Sequence, residues 1–291
     1  MRSFIGRAIA PIVFAVAAIF SPLTAQADTP APPGANNWSC HPSYLHPRPV
    51  VLVHGTFENM WQNWSTVSPA LTAAGYCVYA LNYGANNYSN GIIYGLGPIE
   101  NSASELSTFI DKVIASTGAA KVDIIGHSQG GMMPRYYLKF LGGSYKVNTL
   151  IGLSPSNYGT TLGGLTTLAN QFPGFQQVAQ QFQQTIVQAI NAGCQACAQQ
   201  IVGSDFLNRL NAGGDTIYGI KYTVVETKYD EVVTPYTNAF LKGAGANNIT
   251  LQNQCAFDIS EHVGTAYDPI SLHNILNALD PAHATTPSCL G

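Results

Sequence analysis

The residues best placed to do chemistry lie in the run Gly126-His127-Ser128-Gln129-Gly130, a Gly-x-Ser-x-Gly pattern. It falls between a strand-like stretch, Val122-Asp123-Ile124-Ile125, and a helix-like stretch that starts at Gln129. A serine on a sharp strand-to-helix turn tolerates no bulk on either side, and the turn lifts its hydroxyl above the sheet. The following helix directs its positive end toward the reacting group. The chemistry open to such a serine is nucleophilic attack on a carbonyl carbon. A bare Gly-x-Ser-x-Gly is also compatible with a plain glycine-rich turn, so its partners must decide.

A serine hydroxyl is a weak nucleophile at neutral pH. It needs a histidine to take its proton and a carboxylate to orient that histidine, and on an elbow of this kind the chain order is serine, acid, histidine. Three histidines follow Ser128: His262, His273 and His283. His262 falls on a short loop, Ile259-Ser260-Glu261-His262-Val263-Gly264, and is the expected base. His273 lies inside the closing helix and His283 in a Pro-containing tail, so both read as surface or packing residues. Asp230 ends a strand-like stretch at a turn and is the expected acid. Glu231 reads as its solvated neighbour and Glu226 as a residue within the strand. Asp205 and Asp215 precede that strand, and Asp258 is too near His262 in sequence. The negative charge that develops on the attacked carbonyl oxygen requires backbone donors already aimed at it. One is the amide of Gln129. The second is expected from His54-Gly55-Thr56-Phe57, with Thr56 the first choice and Phe57 the neighbouring alternative. His54 precedes the nucleophile and reads as a brace for this loop.

These residues need a scaffold, and the sequence outlines one. Residues 28–49 read as an extended leader. Val50-Val51-Leu52-Val53 is an unbroken apolar run, the mark of a strand buried on both faces. Alternation then predicts a helix over 61–74, a strand over 76–81, a helix over 102–116, a strand over 122–125 and a helix over 129–141. Strands follow over 148–153 and 221–227, a weaker one over 249–252, and a helix over 269–279. This pattern means a mostly parallel central sheet flanked by helices. Pro134 predicts a kink or loosening in the helix behind Ser128. From Pro155 to Ser204 there is no Asp, Glu, Lys or Arg, and Phe175, Val178, Phe182, Ile186 and Ile190 recur at helical spacing along a Gln-rich segment. The stripe reads as one helix packed on the core, and a cap over an apolar pocket would carry the same pattern; an inserted cap-like region is expected over about 155–215.

Composition narrows the function classes. Of 291 residues, 46% are hydrophobic and 9% charged, with a formal net charge of -3. That balance excludes a disordered chain and argues against a nucleic-acid binder, which needs a basic face. Residues 1–27 read as a signal peptide, with Arg2 and Arg7, an apolar run and the small-x-small pattern Ala25-Gln26-Ala27. The run is too short for a membrane anchor. Export is therefore expected, with cleavage near Ala27 and one catalytic domain over 28–291. Six cysteines in an exported chain read as disulfides. The expected pairs are Cys40 with Cys77, Cys194 with Cys197, and Cys255 with Cys289, each closing one region of the chain. Cys194-Gln195-Ala196-Cys197 lacks a second pair or a nearby histidine for a metal site.

Five segments, His54-Gly55-Thr56, Gly126-His127-Ser128-Gln129-Gly130-Gly131, Ser154-Pro155-Ser156-Asn157-Tyr158-Gly159-Thr160, Tyr229-Asp230-Glu231-Val232-Val233 and Glu261-His262-Val263-Gly264, resemble those of the secreted bacterial class 2 triacylglycerol lipases. The Gly-Thr and Ser-Gln-Gly-Gly pieces are also similar to the fungal lipase B type. The resemblance runs in order from about residue 49 to 265. It implies an α/β-hydrolase fold, carboxylester hydrolysis by Ser128, Asp230 and His262, and no cofactor. A lipid or other ester substrate follows, met at an oil-water interface, with a monomer as the default state. A short-chain esterase or polyester hydrolase would use the same triad. A peptidase or amidase, which would want charged pocket residues, and a non-catalytic binding protein rank lower.

Overall fold

A computed structural model describes residues 29–181 and 185–289. The expected signal peptide lies outside them, as does Phe182 of the apolar stripe. In chain order come β1 (Val50–Val53), α1 (Met60–Trp64), α2 (Val67–Ala73), β2 (Val78–Leu81), α3 (Ile99–Thr117) and β3 (Val122–His127). After β3 follow α4 (Gln129–Met132), α5 (Pro134–Phe140), β4 (Val147–Leu153), α6 (Leu162–Gln171), α7 (Pro173–Gln181) and α8 (Ile186–Gly193). The chain closes with α9 (Gln195–Gln200), α10 (Asp205–Asn211), β5 (Lys221–Glu226), β6 (Ala246–Thr250), α11 (Leu251–Gln254) and α12 (Pro269–Leu279).

The strands form one six-stranded sheet in the order β2-β1-β3-β4-β5-β6, every neighbouring pair parallel. Both faces are covered, and the apolar run of β1 shows why it lacks polar residues. Val51 and Val53 join one core cluster with Leu106 and Ile110 of α3 and Tyr137 and Leu138 of α5. Val50 and Leu52 join the other with Trp64, Leu71 and, from α12, Ile270 and Ile275. All four β1 side chains are fully buried, each contributing on the order of 1.5 to 3 kcal/mol. Because β1 lies between β2 and β3, the strand order reverses there. At such a switch point a crevice opens beyond the carboxyl ends of the strands.

Two expected helices are broken. The 61–74 helix is interrupted at Ser65 and Thr66 between α1 and α2. Behind Ser128 the helix divides at Pro134, which opens α5 without an amide to donate backward. The strand expected over 76–81 begins at Val78, because Tyr76 still donates its amide to Leu71 of α2. The weak last strand ends at Thr250, and α11 starts at Leu251.

The uncharged stretch is not one helix. Phe172 leaves helical geometry at φ -108°, ψ 102°, as a residue before proline tends to do, and Pro173 starts α7. The reciprocal bonds between Thr185 and Gln188 then cap the start of α8. Phe175 and Ile190 of the stripe join the core cluster on the α3 face, together with Leu165, Leu168 and Phe172. The inserted helices α6 to α10 therefore continue the core on that face. The three expected disulfides are present, with Cα–Cα distances of 5.8 Å for Cys40–Cys77, 5.2 Å for Cys194–Cys197 and 5.4 Å for Cys255–Cys289. Among the described residues, no helix is long and apolar enough to cross a membrane.

Candidate active site

Ser128 sits between β3 and α4 at φ 54°, ψ -122°, a conformation that costs a residue with a side chain about 1 to 3 kcal/mol. Two backbone bonds hold it there: its amide donates to Leu153 (2.9 Å) and its carbonyl accepts from Gly131 (3.0 Å). The flanking glycines are a steric necessity. A Cβ on Gly126 would lie 1.8 Å from the Gly130 carbonyl oxygen, and one on Gly130 would lie 2.1 Å from that of Val53. The elbow is thus wedged against the end of β1, which brings the loop after β1 alongside Ser128.

In that loop the two candidate amide donors separate clearly. The Phe57 amide donates to the Tyr94 carbonyl (3.0 Å), which removes Phe57 as the alternative. The amides of Thr56 and Gln129 have no acceptor among the described residues. The Thr56 hydroxyl accepts from the side-chain amides of Gln129 (2.8 Å) and Gln200 (2.9 Å). Both acceptor positions of that oxygen are then used, so its own proton remains for another acceptor. Gln200, at the end of α9, is held by Ser156, whose hydroxyl donates to its carbonyl oxygen (2.9 Å). His54 does brace the loop: its ring stacks on Tyr83 with centroids 4.4 Å apart, and its Nδ1 bonds the Gly55 carbonyl at 2.7 Å. Burial lowers its pKa to about 4, so the ring is neutral.

Asp230 and His262 meet across the ends of β5 and β6. Asp230 closes a turn in which its Oδ1 accepts from the amides of Val232 (2.8 Å) and Val233 (2.6 Å). Its Oδ2 is left for His262 Nδ1, at 2.7 Å. Burial would raise this carboxyl, but the His262 ring and the bonds from His262 and Val233 outweigh it and hold Asp230 below the usual carboxylate range. With Nδ1–H directed at a carboxylate, the His262 lone pair sits on Nε2. That atom is buried and has no hydrogen-bond partner among the described residues. His262 in turn packs beside His127, the residue before Ser128, with ring centroids 5.0 Å apart. His273 and His283 stand elsewhere, bonded to Thr285 and Asp280. Asp215 is tied into a separate network with Tyr158 and the amides of Lys242 and Gly243.

Several participants were not legible in the sequence as site residues. Glu231, read as solvated, accepts from the His262 amide (3.3 Å) and from Gln171 (2.6 Å). Glu226 is fully buried at the end of β5 and bonded by Ser154 (3.2 Å) and its neighbour's amide (2.7 Å). Burial, and then the adjacent Asp230 charge, push its pKa well above the carboxylate range, so it is a neutral acid beside Asp230. Glu58 and Gln200 were missed altogether. Glu58, three residues past Gly55, is the single acid between β1 and β2, and that is the signal that could have singled it out.

A model of the family "Lipase (class 2)" matches residues 47–270, most of the chain, including Thr56, Ser128, Gln129, Asp230 and His262. The chain belongs to the class 2 lipase family. A triacylglycerol lipase of Pseudarthrobacter phenanthrenivorans is 37% identical over 93 residues, covering 30% of this chain and 27% of that protein. A triacylglycerol lipase of Burkholderia plantarii is 37% identical over 93 residues, covering 30% and 24%. The aligned part thus spans about a quarter of each curated relative. Among solved structures, Aspergillus fumigatus lipase B superposes with a TM-score of 0.66 at 19% identity, over 98% of this chain and 65% of that one. Bacillus licheniformis lipase BlEst2 in mature form gives 0.57 at 15% identity, over 82% and 94%. Together with the parallel sheet these place the family member in the α/β-hydrolase fold.

Proposed function

We propose that this class 2 lipase family member is a secreted triacylglycerol lipase that cleaves esters through an acyl-enzyme on Ser128. The observation that carries the reading is the His262–Asp230 bond, which leaves Nε2 buried and without a hydrogen-bond partner among the described residues, on a ring 5.0 Å from that of His127, the residue before Ser128. In the proposed cycle Nε2 takes the Ser128 proton as Oγ attacks the ester carbon, and the Asp230 carboxylate balances the charge on the ring. The oxygen that becomes negative is met by the unengaged amides of Thr56 and Gln129, one such donor being worth about 3 to 4 kcal/mol in related chemistry. His262 then gives the proton to the departing alcohol. Water, activated by the same nitrogen, releases the acid.

Export is supported by the signal-like composition of residues 1–27 and by three disulfides, which persist in oxidising surroundings. The uncharged inserted segment suits contact with acyl chains. The test is hydrolysis of p-nitrophenyl esters from acetyl to palmitoyl, followed by emulsified triolein, by the parent and by Ser128→Ala. Cleavage of long chains and of triolein by the parent alone supports the lipase reading. Cleavage of acetyl and butyryl esters only would make it a short-chain esterase, and activity in Ser128→Ala would remove the mechanism.

A further inference from the structure

Beneath the elbow lies a second buried acid-histidine pair that the cycle above does not use. His127 and Glu58 are 0% and 1% exposed. His127 Nδ1 is 3.0 Å from Glu58 Oε2, and its Nε2 is 3.0 Å from the carbonyl oxygen of His262. A carbonyl oxygen only accepts, so Nε2 must carry a proton. The same Glu58 oxygen accepts from the Gly55 amide at 2.6 Å, so it faces two N–H groups when Nδ1 is protonated as well; the Asn63 side-chain amide, 3.2 Å from Nδ1, must then turn its otherwise unpartnered oxygen toward that proton. One oxygen and one ring therefore touch three parts of the site: the turn that presents Thr56, the residue before Ser128, and the backbone of His262.

We propose that Glu58 and His127 form a buried carboxylate-imidazolium pair that positions the His262 loop and the Gly55-Thr56 turn around Ser128. This deepens the function proposed above and rests on it for what is being positioned. Both are positioning residues, since neither reaches the ester. The pair supplies a charged donor to the His262 carbonyl, a bond stronger than a neutral one, and Thr265 adds a second donor to that oxygen at 2.8 Å. Burial alone would discharge the His127 ring, but the Glu58 carboxylate outweighs it and lifts the ring's pKa above the usual histidine range. Burial would likewise raise Glu58, and the charge and bond from His127 bring it below its usual range instead. The other titratable groups facing the pair are His54 on the loop after β1, Asp230 after β5 and His262 after β6, with Tyr83 and Tyr267 facing Glu58. With His54 neutral, no second cation opposes His127 from that loop.

The test is NMR on the full chain labelled at histidine, with His127→Asn for assignment, joined to kinetics on p-nitrophenyl butyrate. At neutral pH, above the ordinary histidine value of about 6.5, the His127 ring is expected to show imidazolium shifts. In Glu58→Gln those shifts should become neutral, and the Nδ1–H signal of His262 should weaken through faster exchange. The kcat should fall about ten- to a hundredfold with KM changed less than about threefold. A neutral His127 in the parent overturns the proposal, as does Glu58→Gln with the His262 signal and kcat unchanged. If Glu58→Gln does not fold, the parent still reads the charge. Glu58→Asp, which keeps the charge on a shorter stem, then replaces it and should show a smaller loss in the same direction; no change in either reading overturns the positioning role. A parent inactive on esters would overturn the function proposed above and leave the two ring signals to decide this pair.

Discussion

Replacing Thr56 by valine tests the oxyanion side of the site with little change in shape. The hydroxyl accepts one N–H from each of Gln129 and Gln200. The other N–H of Gln129 goes to Gly95 (2.9 Å) and that of Gln200 to Ala196 (3.3 Å). Valine therefore orphans one buried donor on each side chain, at about 1 to 3 kcal/mol apiece. A stability loss on the order of 2 to 6 kcal/mol follows, read as a lowered denaturation midpoint. Both acceptor positions of Oγ1 being filled, its proton would, on the proposed mechanism, be free to meet the negative oxygen beside the amides. Losing such a donor costs about 3 to 4 kcal/mol, or roughly a hundred- to a thousandfold in kcat. Thr56→Ser keeps the hydroxyl and should stay within about threefold of the parent. Gln200→Met controls for disturbance of the loop, because it removes one donor to the Thr56 hydroxyl, together with the Gln200 bonds to Ala196 and Ser156, and spares the hydroxyl itself; a loss below about tenfold is expected. Steady-state kinetics on p-nitrophenyl butyrate decide the matter. A Thr56→Val enzyme with kcat equal to that of Thr56→Ser, or a Gln200→Met loss as large as that of valine, refutes the reasoning.

Other consequences follow from the buried charges, the elbow and the crosslinks. Glu226 has a raised folded pKa, so its contribution to stability is complete below its unfolded value and disappears as pH rises through the folded value. Glu226→Gln, neutral at every pH, should flatten the alkaline loss in a pH series of urea melts; an unchanged alkaline limb would show that Glu226 is already ionised. His54 behaves in the opposite sense. Its pKa of about 4 in the fold means stability falls as pH drops from the ordinary histidine value toward 4, by up to about 3 kcal/mol, and His54→Gln should remove that part of the acid limb in the same melts. Gly126→Ala places a methyl against the Gly130 carbonyl and should abolish soluble, folded protein, as read by circular dichroism of whatever is recovered. Replacing Cys255 and Cys289 by serine opens a loop whose ends are 34 residues apart and should lower stability by roughly 3 to 4 kcal/mol, measured by chemical denaturation.

What the sequence made legible was local. The β1 run is apolar because both its faces are covered, and the buried four-residue β2 run Val78–Leu81 repeats that pattern. The glycines at 126 and 130 report a steric fit against Val53 and each other's backbone, so the elbow could be read before any coordinates. Chain order and a place on turns after strands single out Asp230 and His262, and the structure joins the two side chains. Residues that work through distant partners gave no such signal. Gln200 reaches Thr56 across 144 positions, and His127 reaches Glu58 across 69 and the His262 carbonyl across 135. Periodicity also misled in the uncharged stretch, because Phe175 and Ile190 do face one core while Pro173 and the cap at Thr185 divide the chain between separate helices. Hydrophobic spacing reports which face is buried, and capping residues report where a helix stops.

Reaction with an alkyl fluorophosphonate, followed by peptide mass mapping, tests the central claim most directly, because phosphonylation requires both a nucleophile and the base that activates it. The account predicts a single adduct on Ser128, with ester hydrolysis lost in step with its formation, and labelling slowed by His262→Gln and Asp230→Asn. An adduct on another serine, or hydrolysis that persists once Ser128 is fully modified, would contradict it.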